Sequence, residues 1–299
     1  MTIKTDGMLL LVAAVWGTSY GLTKETVTLY PVIGFLAIRF LLTVALLSAP
    51  LLFELYKRPI GLLRAGFPTG LILACIFIAE TFGLANTSAT NAAVLISLFV
   101  VMTPFVEWVL LRRPPRHRIW LIVLLSVSGV FALSDGVDWH FGLGDSLIIG
   151  AALLRALMVT VTAKLSQRYN GTTAALTALQ CLVVAIVCLI LAITVVDRQS
   201  LVLPEDSRFW LNTLYLVLAC TILAFFIQNY AAQRVSPSRV SVLMGSEPLF
   251  GVMFAVYWLN ETVTFNGAIG MVLIVAASLM MIATNDKQSE QVTLRTVGT

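Results

Sequence analysis

Five ionisable side chains, Arg39, Glu80, Glu107, Arg155 and Glu247, stand inside long apolar stretches of the chain. In a bilayer core a charge costs about 2.5–3.5 kcal/mol even on lenient insertion scales, so each is expected to face a polar cavity or a partner. Arg155 offers a planar fork that can hold a solute carboxylate at two points, or it can form an ion pair with Glu80 or Glu247 that ties helices together. Glu80, with Gln228 and Tyr230 extending a polar strip beside Asn229, suits an ammonium or proton site, and equally suits interhelical hydrogen bonding. Glu247 precedes Pro248, whose missing N–H frees a carbonyl and favours a kink; the pair reads as a gating or coupling element alongside Glu80, or as a structural kink. Trp16 and Tyr20, one turn apart, can stack on an aromatic or apolar solute or pack as core aromatics beside the close-packing glycines Gly17 and Gly21. Glu107 is expected to snorkel towards the surface near Arg112, and Arg39 to be structural.

Catalytic signatures are missing from this set. The sequence has no GxxxxGK[ST] and no HExxH, and its two histidines, His117 and His140, fall between apolar segments. The GLGD at 142–145 matches an intramembrane aspartyl protease motif, yet that chemistry needs two carboxylates sharing a proton, and no apolar segment holds another Asp. Asp145 reads instead as a helix N-cap. The expectation is a protein that is not an enzyme, with no catalytic residue, no metal site and no cofactor.

The elements that position these residues follow from composition. Of 299 residues, 59% are hydrophobic and 11% charged, far below the ~25% charged content that a water-soluble domain uses on its surface. Mean hydropathy is +0.94. The expected class is an all-α integral membrane protein, because a segment in lipid must satisfy its own backbone hydrogen bonds. Breaks at Pro, Gly and charge clusters mark ten transmembrane helices, at 7–25, 31–53, 65–86, 91–111, 118–134, 145–166, 172–195, 209–233, 239–259 and 264–284. The first segment has no small-residue cleavage site and reads as an uncleaved helix. Cys75, Cys181, Cys188 and Cys220 lie within apolar stretches and read as small buried hydrophobes.

Charge asymmetry orients the chain. Fourteen Lys and Arg fall in the connections on one side and three on the other, so both termini are expected in the cytoplasm. The net charge of +4 is accounted for by this topology signal and gives no reason to expect nucleic acid as a partner. Cut after the fifth span, corresponding connections of the halves have opposite charge character, and five spans per half inverts one half relative to the other. Two inverted five-helix repeats are expected, 1–138 and 139–284, followed by a polar cytoplasmic tail, 285–299. Asp6 and Asp145 open the first helix of each repeat, Trp16 aligns with Arg155, and Pro104 and Pro248 interrupt the fourth helices. Such repeats recur in transporters, where they exchange inward- and outward-open shapes around a central site.

The order of AAVWGTSYGLTK (13–24), NTSATNAAVLISLFVVMTPF (86–105) and VSPSRVSVLMGSEPLFGVMFAVYWLNETVT (235–264) resembles the EamA-type drug/metabolite transporters over nearly the whole chain. Its length and general look are similar to the YddG-type branch of bacterial aromatic amino acid exporters. The resemblance implies a monomeric secondary transporter in the bacterial inner membrane, with the lipid bilayer and a small-molecule substrate as its partners. It implies export of amino acids, aromatic ones included, and similar amphipathic metabolites by alternating access. A drug or nucleotide-sugar carrier of the same fold, or a non-transporting membrane scaffold or receptor, is the alternative.

Overall fold

The computed structural model describes residues 2–112, 114–133, 142–167, 169–259 and 264–284. The expected boundary between 138 and 139, the tail 285–299, and His140 lie outside them. Among the described residues the secondary structure is helical, with no strand. The helices are α1 (Thr2–Gly17), α2 (Ser19–Leu29), α3 (Val32–Leu46), α4 (Ser48–Lys57), α5 (Pro59–Ala85), α6 (Ala89–Ile96), α7 (Phe99–Leu111) and α8 (His117–Leu133). They continue as α9 (Leu143–Ser166), α10 (Thr173–Val195), α11 (Ser207–Val217), α12 (Ala224–Ala232), α13 (Pro237–Met244), α14 (Glu247–Leu259) and α15 (Phe265–Ile282), with a π-helical turn, Leu218–Leu223, joining α11 to α12. Among the described residues six stretches are long and apolar enough to cross a membrane: Pro59–Ala85, Asn91–Leu111, Leu143–Ser166, Thr173–Val195, Ser207–Ala232 and Phe265–Ile282. A seventh is added if Ile3–Leu29 and Val32–Leu46, which meet at 118°, count as one bent span.

Local chemistry sets the helix ends. The side chains of Ser88, Thr172, Asp206 and Thr264 accept backbone N–H groups of the first turns of α6, α10, α11 and α15, satisfying donors that have no intrahelical partner. Pro59 and Pro237 open α5 and α13, where a fixed φ helps and a missing N–H costs nothing. This start at Pro59 places Arg64 on a helix and not in the connection expected before residue 65. Asp145 is the third residue of α9, not its N-cap; its carboxylate accepts the Gly142 N–H at 3.1 Å and the Thr87 hydroxyl at 2.6 Å. Proline also acts differently from the expectation. The chain breaks at Ser97–Leu98 and Gly245–Ser246, while Pro104 is carried inside α7 and Pro248 sits in the first turn of α14, where no N–H is required.

Two sets of contacts tie the connections together. In one, Arg58 donates to the Asn170 carbonyl, Lys164 to that of Leu110, and Arg239 to Asp6 and to the carbonyls of Ile282 and Thr284. In the other, Lys24 donates to the Thr87 carbonyl, Tyr30 to that of Leu201, and Asn212 to Glu25. Helix α5 leads from the first set to the second, about 40 Å at 1.5 Å per residue, and α9 leads back. Helix α5 packs along α9 and α10, α8 along α15, and α1 along α14. Side chains such as Tyr56, Leu124, Val195 and Leu279 project outwards, whereas Thr43, Thr69, Thr160, Thr177, Gln180 and Asn229 are buried. Apolar outside and polar inside is the arrangement that lipid favours.

Candidate functional site

A cavity enclosing about 690 Å³, its open mouth included, lies between α1, α2, α3, α5, α9, the π turn and α12, with Phe99 and Met244 closing it from α7 and α13. Arg155 of α9 lies in its wall and makes a two-point ion pair with Glu80 of α5: Nη2 is 2.9 Å from Oε1 and Nε is 3.2 Å from Oε2. Its remaining Nη1 reaches Glu247 Oε2, at the first residue of α14, at 3.4 Å. Three helices are thereby joined through one guanidinium. Breaking a buried pair by removing one partner generally costs about 3–5 kcal/mol, because the other charge is left without compensation. The fork expected to hold a solute carboxylate is filled by Glu80.

Trp16 lines the cavity beside Arg155. Its ring lies 4.7 Å from the Arg155 guanidinium carbon and 5.3 Å from the ring of Phe225, which in turn is 5.6 Å from Phe77. The indole N–H donates to the Cys220 carbonyl at 2.9 Å. That carbonyl belongs to the π turn Leu218–Leu223, whose wider winding releases backbone groups from the regular ladder. Within the turn, the Thr221 hydroxyl donates to the Leu216 carbonyl and accepts Arg39 Nε at 2.9 Å. The Arg39 guanidinium carbon lies 5.0 Å from the Phe77 ring centroid.

Of the residues singled out in the sequence, Trp16, Tyr20, Glu80, Arg155 and Gln228 line the cavity. Tyr20 Oη and Glu247 Oε1 are buried and face each other without closing to hydrogen-bond geometry, and Gln228 Oε1 is buried with no hydrogen-bond partner among the described residues. Tyr230 is not in the lining. Two residues beyond Gln228 is 200° around a helix, and there Tyr230 stacks on Phe226 and carries the Arg234 guanidinium on its face at 3.5 Å. Asn229 also turns away, donating to Thr177 and Gln180 of α10. Glu107 does not snorkel: it is buried and accepts the Ser238 N–H and hydroxyl at the start of α13. Gly17 makes the close approach expected of it, to Glu247 and Gly251, whereas Gly21 faces open space. Phe77, Phe225 and Thr221 carried no signal in the sequence, since aromatic and hydroxyl residues are common in apolar helices; Arg39 was visible as a buried charge, but not as part of a cavity.

The sequence profile of the EamA-like transporter family matches residues 3–134 and again residues 142–283. The chain belongs to the EamA-like transporter family. Similar proteins include two from Archaeoglobus fulgidus, each named an uncharacterized transporter. One is 26% identical over 286 residues, covering 93% of this chain and 86% of that protein; the other is 27% identical over 289, covering 92% and 96%. The uncharacterized transporter YcxC of Bacillus subtilis is 25% identical over 276 residues, covering 89% of this chain and 88% of its own. A solved crystal structure superposes with a TM-score of 0.74 at 17% identity, covering 93% of this chain and 96% of that one, a likeness of fold. As an EamA-family member with several apolar helices, the chain is a multi-pass membrane transporter, and the charged side chains of Arg39, Glu80 and Arg155 line its cavity.

Proposed function

We propose that this EamA-family protein is a secondary transporter exporting amino acids, aromatic ones included, and similar small amphipathic metabolites by alternating access. The observation that carries this reading is the cavity itself: its lining holds the aromatic rings of Trp16, Phe77 and Phe225 together with the polar side chains of Glu80, Arg155, Gln228 and Tyr20. An amphipathic solute needs both surfaces, as apolar groups supply contact area and a few placed polar groups fix orientation. The same composition favours the aromatic amino acid branch of the family.

In this reading ten crossings form two inverted repeats. Besides the six long apolar helices, Ile3–Leu29, the stretch 32–57, His117–Leu133 and the stretch 237–259 each cross once, broken or short. Support comes from the two separate profile matches, and from breaks at corresponding places, Ser97–Leu98 and Gly245–Ser246. The contact set holding Arg58, Lys164 and Arg239 faces the cytoplasm of a bacterial inner membrane, following the Lys and Arg count. In this reading the protein works as a monomer. Uptake by proteoliposomes preloaded with unlabelled phenylalanine, challenged with labelled phenylalanine, tests the function: exchange above empty liposomes is expected, and its absence across a panel of amino acids overturns the reading.

A further inference from the structure

Arg39 is a buried cation that makes no ion pair with any described residue; Glu80 acts on it only through space. Arg39 is 5% exposed on α3, and its polar contact is the single bond from Nε to Thr221; its two Nη groups make no hydrogen bond to any described residue. Phe77 and Phe40 lie against the guanidinium, at 5.0 and 5.9 Å. Ring faces attract a cation but leave its N–H groups unbonded. Buried charges are normally paired, and an unpaired one in a membrane protein faces a cavity that serves it. Arg39 lines the cavity described above.

The opposite imbalance holds at Arg155, where two carboxylates share one guanidinium. A third carboxylate brought to Arg155 would be repelled by both. Phe77, beneath Arg39, precedes Glu80 by three residues on α5, a rise of about 4.5 Å. The cavity lining therefore holds a formally positive group at Arg39 and a formally negative one at Glu80, with Trp16 and Phe225 beside them and Glu247 held against Arg155.

We infer that Arg39, not Arg155, takes the anionic group of the solute, and that Glu80 takes its ammonium, so the preferred substrate is a zwitterion lying between α3 and α5. This deepens the transport reading and rests on it. Two roles follow. Arg39 selects for a carboxylate, whereas Arg155 positions the two carboxylates and contributes equally to any amine-bearing solute.

The test compares phenylalanine with phenylalaninamide, which keeps the ammonium and the ring and lacks the carboxylate, in proteoliposomes of the wild type, Arg39→Gln, Arg39→Lys and Arg155→Lys. Arg39→Gln is expected to raise KM for phenylalanine about tenfold or more and for the amide less than about threefold, as expected for loss of a charge-assisted contact made to one substrate group. Arg39→Lys keeps the charge and loses the fork, so it shows the same selective rise at smaller size and serves if Arg39→Gln does not fold. Arg155→Lys is expected to impair both solutes alike. If the wild type exchanges phenylalanine but the Arg39 variants change acid and amide equally, or change neither, the assignment of Arg39 is overturned while transport stands. A wild type that exchanges neither compound overturns the amino acid reading and this assignment together.

Discussion

The guanidinium of Arg155 lies 4.7 Å from the ring of Trp16, so the two residues that the sequence aligned as counterparts touch at the cavity. Trp16 is further fixed by its indole bond to the Cys220 carbonyl in the π turn. Trp16→Phe keeps a ring face for Arg155 and removes that donor, which should lower stability by about 1–3 kcal/mol if the carbonyl finds no substitute. Trp16→Leu loses both contacts and should be worse. Thermal unfolding of the detergent-purified variants orders them; equal melting of Trp16→Leu and the wild type would remove Trp16 from the supporting structure.

Glu80→Gln preserves the shape of the Glu80 side chain but keeps only one acceptor oxygen for Arg155, and it cannot release a proton. If a proton gradient drives transport through Glu80, the variant should lose gradient-driven flux and retain downhill exchange. Flux measured with and without an imposed pH difference decides this. Wild-type flux that ignores the gradient eliminates coupling and leaves Glu80 as a contact for the solute or for Arg155.

Gly17 and Gly21 look equivalent in sequence and differ in space. A Cβ on Gly17 would meet the Glu247 carbonyl oxygen at 2.7 Å and the Gly251 nitrogen at 2.8 Å, both backbone atoms that cannot rotate away; a Cβ on Gly21 would meet nothing within 4 Å. Gly17→Ala should separate α1 from α14 and cost about 1–3 kcal/mol. Gly21→Ala, inside α2, should be neutral or stabilising by about 0.5–1 kcal/mol, because alanine loses less chain freedom than glycine in a helix. Monodisperse yield and melting temperature distinguish the two.

Asp6 and Arg239 make a two-point pair at 2.7 and 2.8 Å, both nearly inaccessible, linking α1 to α13. Asp6→Asn strands a buried guanidinium and is expected to destabilise by about 3–5 kcal/mol. Replacing both partners, Asp6→Leu with Arg239→Met, should recover much of the loss. A double variant no more stable than Asp6→Asn would show that the carbonyl bonds from Arg239 to Ile282 and Thr284, not the ion pair, hold this junction.

Orientation can be read by thiol labelling after the four native cysteines are replaced. Arg116→Cys and Glu205→Cys both lie on exposed connections, expected on opposite sides of the membrane. An impermeant maleimide added outside whole cells should label position 205 and spare 116 until the cells are opened. Arg239 is unsuitable, since its burial against Asp6 hides it from the reagent. Labelling of 116 from outside reverses the proposed topology.

Composition and hydropathy alone determined that this chain is helical and belongs in a membrane, because both follow from local facts: too few charges to coat a soluble surface, and backbone groups that lipid forces into helices. The intramembrane charges were equally legible, since a charge among apolar residues stands out wherever it lies. Their partners were not. Arg155 meets Glu80 across 75 positions and Glu247 across 92, and sequence distance says nothing about which helix faces which. A single residue step turns a helix face by 100°, so Gln228 reaches the cavity while Asn229 and Tyr230 point elsewhere, and one π turn resets the face presented by everything after it. Arg39 drew its meaning from the same source: a cation becomes a candidate binding group only when packing denies it a carboxylate and opens a cavity beside it, and both depend on the rotation and depth of helices that only the tertiary structure fixes.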